Sequence, residues 1–144
     1  MISFVCGQLC SGKTLYSKAL AQISEGLYIE VGDIVRQIKQ TSDRKLLQDS
    51  KNLSSLIIEH LKRLAANNPE LIISGVRQKE ILEKFLDSTL LWVECPSQER
   101  KARYNSRART GDTQTFEEAE QGDINLGILE VKQFIFNKNS TQNQ

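Results

Sequence analysis

Proline, histidine and cysteine are scarce in this chain, and the scarcity of the last two removes whole classes of function. Among 144 residues there are two prolines, one histidine and three cysteines. An odd cysteine count argues against a disulfide framework and for a reducing compartment. Cys6 and Cys10 have no metal-binding spacing, and no nearby histidine or third cysteine completes a site, so both read as small packing residues. His60 stands between Glu59 and Leu61 with no partner motif and reads as structural. An excess of one charge is missing too. The 19 lysines and arginines balance 18 aspartates and glutamates, so net charge points to neither a nucleic-acid nor a membrane partner. No apolar run approaches a membrane span, and the sequence opens on a strand pattern rather than a leader. There is no internal repeat and no low-complexity linker. The expectation is one cytoplasmic globular domain over residues 1–144.

What is present is concentrated near the amino terminus. Gly7-Gln8-Leu9-Cys10-Ser11-Gly12-Lys13-Thr14 follows the pattern of a glycine, four free positions, then glycine, lysine and a hydroxyl residue. A polyphosphate needs backbone N–H groups turned inward around it, and Gly7 and Gly12 permit that turn. Lys13 brings a point charge to the β and γ phosphates, and the Thr14 hydroxyl is placed for Mg²⁺. Ile2 to Cys6 reads as a strand entering the loop. The segment from Thr14 to Ile23 reads as a helix leaving it, with Leu15, Ala19, Leu20 and Ile23 as its apolar residues. Its amino end adds a positive dipole facing the anion. Gly7, Cys10, Ser11, Gly12, Lys13, Thr14 and Leu15 are the expected ATP contacts.

Further along, Leu27 to Val31 reads as a second strand, and Ile34 to Lys39 as a helix with Asp33 at its N-cap. Gln40 to Asn52 is expected to be a loop with a helical turn, and Leu53 to Ala66 an amphipathic helix ended by Pro69. Leu71 to Ser74 has the continuous apolar character of a buried parallel strand. A helix over Gln78 to Leu86, a strand from Thr89 to Cys95 closed by Pro96, and a charged helix from Ser97 to about Arg109 follow. Trp92, inside that strand, reads as core. Thr110 to Thr113 is a turn, Thr115 to Gln121 another helix, Phe134 to Phe136 a last strand and Asn137 to Gln144 a disordered tail. Alternating strands and helices imply an α/β fold with a parallel sheet of about five strands.

In such sheets the ligand lies outside the carboxyl ends of the strands. The second strand exits at Gly32-Asp33 with Arg36 one turn on, the third at Gly75 with Arg77, and the fourth leads to Arg100, Arg103 and Arg107. The last three share one helical face and, with Arg109, make a local positive field. That field reads either as a solvated surface balanced by Glu99, Glu117 and Glu118 or as a flap over a transferring phosphoryl group. Asp33 reads as a helix cap, as a carboxylate that orients or deprotonates an acceptor, or as a Mg²⁺ ligand.

Gly7 to Thr14, Gly32-Asp33-Ile34-Val35-Arg36 and Ser74-Gly75-Val76-Arg77 together resemble the nucleoside monophosphate kinases, adenylate kinase among them. Dephospho-coenzyme A kinases share that architecture. Most of the chain, including the acidic run from Phe116 to Ile128, is similar to small archaeal and phage P-loop kinases. The resemblance implies a three-layer P-loop NTPase fold with a short Arg-rich helical lid over about residues 97–125. It implies ATP and Mg²⁺ as cofactors, with Lys13, Thr14 and Arg100 at the nucleotide. Arg36, Arg77 and Asp33 fall at the acceptor, Thr14 and Asp33 at the metal, and Lys13, Asp33, Arg103 and Arg107 form the catalytic set. Ser74 stands where those kinases usually carry an aspartate that holds Mg²⁺ through water. Glu120 and Asp123 match acidic positions, the loop at Asn137 to Asn139 is expected at the adenine, and relatives continue past Phe136 into a terminal helix.

The expected activity is phosphoryl transfer from ATP to a phosphorylated small molecule, a nucleoside or deoxynucleoside monophosphate, by a monomer or dimer. The alternatives are hydroxyl phosphorylation as in dephospho-coenzyme A kinase, and a nucleotide-binding or ATPase module without transfer. A polynucleotide site on the Arg100 to Arg109 face is not expected from a near-neutral chain.

Overall fold

The computed structural model describes residues 1–41, 50–107 and 114–142. Its elements run β1 (Ile2–Gly7), α1 (Lys13–Ser24), β2 (Leu27–Glu30), α2 (Val31–Thr41), α3 (Ser50–Asn67) and β3 (Leu71–Ser74). There follow α4 (Lys79–Leu82), β4 (Thr89–Val93), α5 (Ser97–Ser106), α6 (Phe116–Leu126) and α7 (Ile128–Gln142). The sheet is wholly parallel with order β2-β3-β1-β4, Phe4 of β1 lying in register between Ile73 and Leu90.

Side-chain alternation makes this a three-layer sandwich. Phe4, Cys6, Leu71, Ile73 and Leu90 point to the larger core, where they meet Val31, Ile34 and Ile38 of α2, Ile57 and Leu61 of α3, and Ile128, Val131 and Ile135 of α7. Val5 and Ile72 point to the other face, which α1 covers with Ala21. One helix against one face needs small contact residues, and α1 buries Ser17 and Ala21. Most of its expected apolar stripe is therefore turned outward, with Leu15 78% and Ile23 82% exposed, while Leu20 packs against the Val5 and Ile72 cluster.

The fifth strand expected at Phe134 to Phe136 does not form. Ile128, Val131 and Ile135 repeat at helical spacing, and burying that face makes the segment one helix, α7, so the sheet has four strands among the described residues. The tail expected to be disordered from residue 138 is likewise helical through Gln142. Lys138 Nζ donates to Leu86 O and Asn139 Nδ2 to Leu90 O, at the amino end of β4 and away from the phosphate loop. The loop expected at Asn137 to Asn139 is thus part of a helix, and the chain ends in a terminal helix of the kind that the resemblance placed only in relatives.

Asp33 is not an N-cap. α2 starts at Val31 because Val31, Ile34 and Ile38 share its buried face, which leaves Asp33 in the first turn. The helix expected over Gln78 to Leu86 shrinks to α4, whereas α6 extends to Leu126 before Gly127 ends it. The Thr115 side chain and Glu118 close a reciprocal capping box on α6. Arg109 and the turn at Thr110 to Thr113 lie outside the described residues, as does most of the loop expected between Gln40 and Asn52.

Candidate active site

The carboxyl ends of β1, β2 and β3 and the loop before α1 enclose a cleft of about 710 Å³. Loop residues Leu9 to Leu15 form one wall. Tyr28, Glu30, Asp33 and Arg36 form another, with Arg77 at the exit of β3 and Arg103 and Arg107 from α5 and its end. Gly12 takes φ +95° at the turn into α1, and a Cβ on Gly7 would stand 2.9 Å from the Val93 carbonyl oxygen, so both positions call for glycine. Lys13 begins α1, and its ammonium reaches the Gln8 carbonyl at 3.4 Å. Burial lowers its pKa, nearby Arg77 lowers it further, and Glu30 and Asp123 oppose them. An anion in the cleft would relieve that crowding of positive charge.

The arginines of α5 do unequal work. Arg103 Nη1 donates to the Cys10 carbonyl at 3.2 Å, and Arg107 Nη1 lies 3.5 Å from Cys10 Sγ while its guanidinium stacks on Tyr104. Both line the cleft. Arg100 does not line it. It is buried, donating Nε to Cys95 O and Nη1 to Leu9 O, and pairing with Glu120 at 2.6 Å. Its place beside Phe116 makes it a tie between the phosphate loop and α6.

At the outer rim Asp33 and Arg36 pair with each other, both well exposed. Arg77 pairs with Asp123 of α6 at 3.1 Å. Burial raises the Asp123 pKa, against the pull of Arg77 and Lys13. Cys6 and Cys95 are buried thiols, the former pushed up to about 12 by burial. Cys10 is on the cleft wall rather than in the core.

Lys18, Tyr28 and Glu30 line the cleft with no role expected from the sequence. Tyr28 donates its phenol to Glu30 Oε2 at 2.8 Å, and burial with this bond pushes its pKa up to about 12. The strand-exit rule could have found Glu30. The strand pattern extends β2 through Val31, one residue past its end at Glu30, and so moves the exit beyond Glu30.

The donor set suits Mg²⁺. Thr14, Glu30 and Asp33 offer hard oxygens to the cleft, and the buried hydroxyls of Ser11 and Ser74 have no hydrogen-bond partner. Among the described residues no three His, Cys, Asp or Glu side chains cluster as a metal cage. Few protein oxygens beside phosphates and water is how Mg²⁺ is commonly bound.

A family profile described as an AAA domain matches residues 4–125. No curated protein matches the chain in sequence. Among solved structures the chain is similar to the crystal structure of shikimate kinase from Aquifex aeolicus vf5. The TM-score is 0.55 and the identity 19%, over 96% of this chain and 83% of that one. At that identity the likeness is one of fold, a parallel sheet between helices with a phosphate loop after β1. No helix among the described residues is long and apolar enough to cross a membrane.

Proposed function

The chain belongs to the AAA domain family over residues 4–125, and from that premise we propose an ATP-dependent kinase whose acceptor is a nucleoside or deoxynucleoside monophosphate. One observation carries the reading. The cleft that holds the phosphate loop also presents six cationic side chains, Lys13, Lys18, Arg36, Arg77, Arg103 and Arg107, against the two carboxylates of Glu30 and Asp33. One triphosphate does not need cations on both sides of the cleft; a donor and a phosphorylated acceptor together do. The kinase-like fold supports the same class of reaction, since the similar structure is named for a small-molecule kinase.

Phosphoryl transfer asks little covalent chemistry of a protein. It needs two phosphates held in line and the charge on the transferring oxygens balanced. Loop N–H groups and Lys13 take the β and γ phosphates of ATP. Arg36 and Arg77 grip the acceptor phosphate from the rim, and Arg103 and Arg107 stand on the loop side of the transferring group. Thr14 would help to hold Mg²⁺, which would neutralise charge on the phosphates of the nucleotide. Arg100 holds the loop in position from behind.

The exposed Asp33 carboxylate keeps a second acceptor in play, a hydroxyl whose proton Asp33 takes, as in a dephospho-coenzyme A kinase. A phosphate acceptor needs no base. Asp33→Asn is therefore expected to lower kcat about tenfold with a monophosphate, through lost orientation, and not to abolish turnover. Steady-state rates of the variant on the preferred acceptor decide. Loss of about 10³-fold or more would instead assign a hydroxyl acceptor.

A further inference from the structure

Glu30 has surroundings that the phosphate-binding roles above leave unexplained. It ends β2 in register with Ser74 of β3, and that register continues to Val5, which packs under α1. Glu30 and Ser74 therefore share the α1 face of the sheet. Ser74 is fully buried, and its hydroxyl has no hydrogen-bond partner. An unpaired buried hydroxyl costs about 1–3 kcal/mol, so it calls for a further partner. Next to it Gly75 takes φ +93°, and a Cβ there would stand 2.2 Å from Glu30 Oε1. The absent side chain is what makes room for that oxygen. Glu30 Oε2 accepts from Tyr28 at 2.8 Å, and Tyr28 and Thr14 line the same cleft. Thr14, Tyr28 and Glu30 thus face one cleft from its two walls, with the unpaired Ser74 hydroxyl across the register pair from Glu30. Asp33, by contrast, stands at the exposed rim in a pair with Arg36.

On the kinase reading given above, we propose that Glu30, and not Asp33, is the carboxylate that joins Thr14 in holding the nucleotide's Mg²⁺. The Ser74 hydroxyl, in register with Glu30, is the unpaired polar group of the same face. β3 ends in a serine and brings no acidic side chain to this point, and the neighbouring strand supplies one across the register pair. The requirement of Mg²⁺ for one or two carboxylates, phosphate oxygens and retained waters is met without a protein-only cage. The competing role for Glu30 is simpler, a counter-charge that raises the pKa of Lys13.

Calorimetric titration with ADP, in EDTA and in excess Mg²⁺, separates the two roles when wild type is compared with Glu30→Gln. Glutamine keeps the shape and can still accept from Tyr28. The variant is expected to lose about tenfold or more of the Mg²⁺-dependent gain in ADP affinity. Its metal-free affinity should equal or exceed that of wild type, because a negative charge near the phosphates is gone. Electron paramagnetic resonance of Mn²⁺ with ADP should show the same weakening. An equal Mg²⁺ gain in both proteins would overturn the proposal. So would a loss of affinity that is the same with and without metal, which would leave Glu30 a support for Lys13 alone. A wild-type protein that binds ADP in neither condition overturns the kinase reading and this inference with it.

Discussion

Lys13→Met is expected to abolish nucleotide binding while making the nucleotide-free protein more stable. Both effects come from one feature, an ammonium whose pKa is lowered first by burial and then by Arg77. The sign follows from linkage. With the folded pKa below the unfolded value, the stability present above the ordinary lysine range is lost as pH falls through the folded pKa. A charged Lys13 therefore costs folding free energy at lower pH, and methionine, with a similar stem, removes that cost. We expect a gain of about 1 kcal/mol, in line with other functional residues that trade stability for activity. In wild type, ATP with Mg²⁺ at about a hundred times Kd should add about 2.7 kcal/mol. The variant should show none of that increment and should lose turnover by at least about 10³-fold. Thermal melts with and without nucleotide measure both. A variant less stable than wild type at neutral pH, or one still stabilised by ATP, would contradict the assignment.

Arg100→Met should act in the opposite way, destabilising strongly. Arg100 is 4% exposed, and its loss leaves Glu120, Leu9 O and Cys95 O without the donor that serves all three. Breaking one side of a buried pair costs about 3 kcal/mol, which for a chain of this size is a fall in Tm of about 10 °C. Nucleotide affinity should weaken as well, because the Leu9 carbonyl no longer anchors the loop. Arg100→Lys is expected to recover only part of the loss, since an ammonium cannot reproduce the fork that spans two carbonyls and a carboxylate. Arg103→Met supplies the contrast. That side chain is half exposed, so its loss should leave Tm nearly unchanged and lower turnover. An Arg100→Met protein as stable as wild type would sink the structural role given to Arg100.

The sequence was most readable where one segment carries its own instructions. β1, the glycine loop and α1 are set by residues within two dozen positions, and β3 by an apolar run too short for a helix. It was least readable where partners distant in sequence decide. Phe134-Ile135-Phe136 has the composition of a strand, and only the packing of Ile128, Val131 and Ile135 on the sheet makes it helical. Of the expected stripe Leu15, Ala19, Leu20 and Ile23, only Leu20 packs toward the sheet, since the sheet beneath α1 accepts Ser17 and Ala21. In the cleft, Lys13, Asp33, Arg36, Arg77, Arg103 and Arg107 could be placed from motif and strand exit. Arg100 could not be told from its neighbours, because spacing gives a face and not a depth. Glu30 was missed through a one-residue error in the end of β2.

The most direct measurement is product analysis after incubation with ATP, Mg²⁺ and, in turn, each nucleoside and deoxynucleoside monophosphate and dephospho-coenzyme A. Conversion of a monophosphate to its diphosphate, with ADP formed in equal amount and a kcat of about 1–100 s⁻¹, is the expected result. Tight ATP binding with no acceptor phosphorylated, and only slow hydrolysis, would contradict the kinase assignment and leave a nucleotide-binding module.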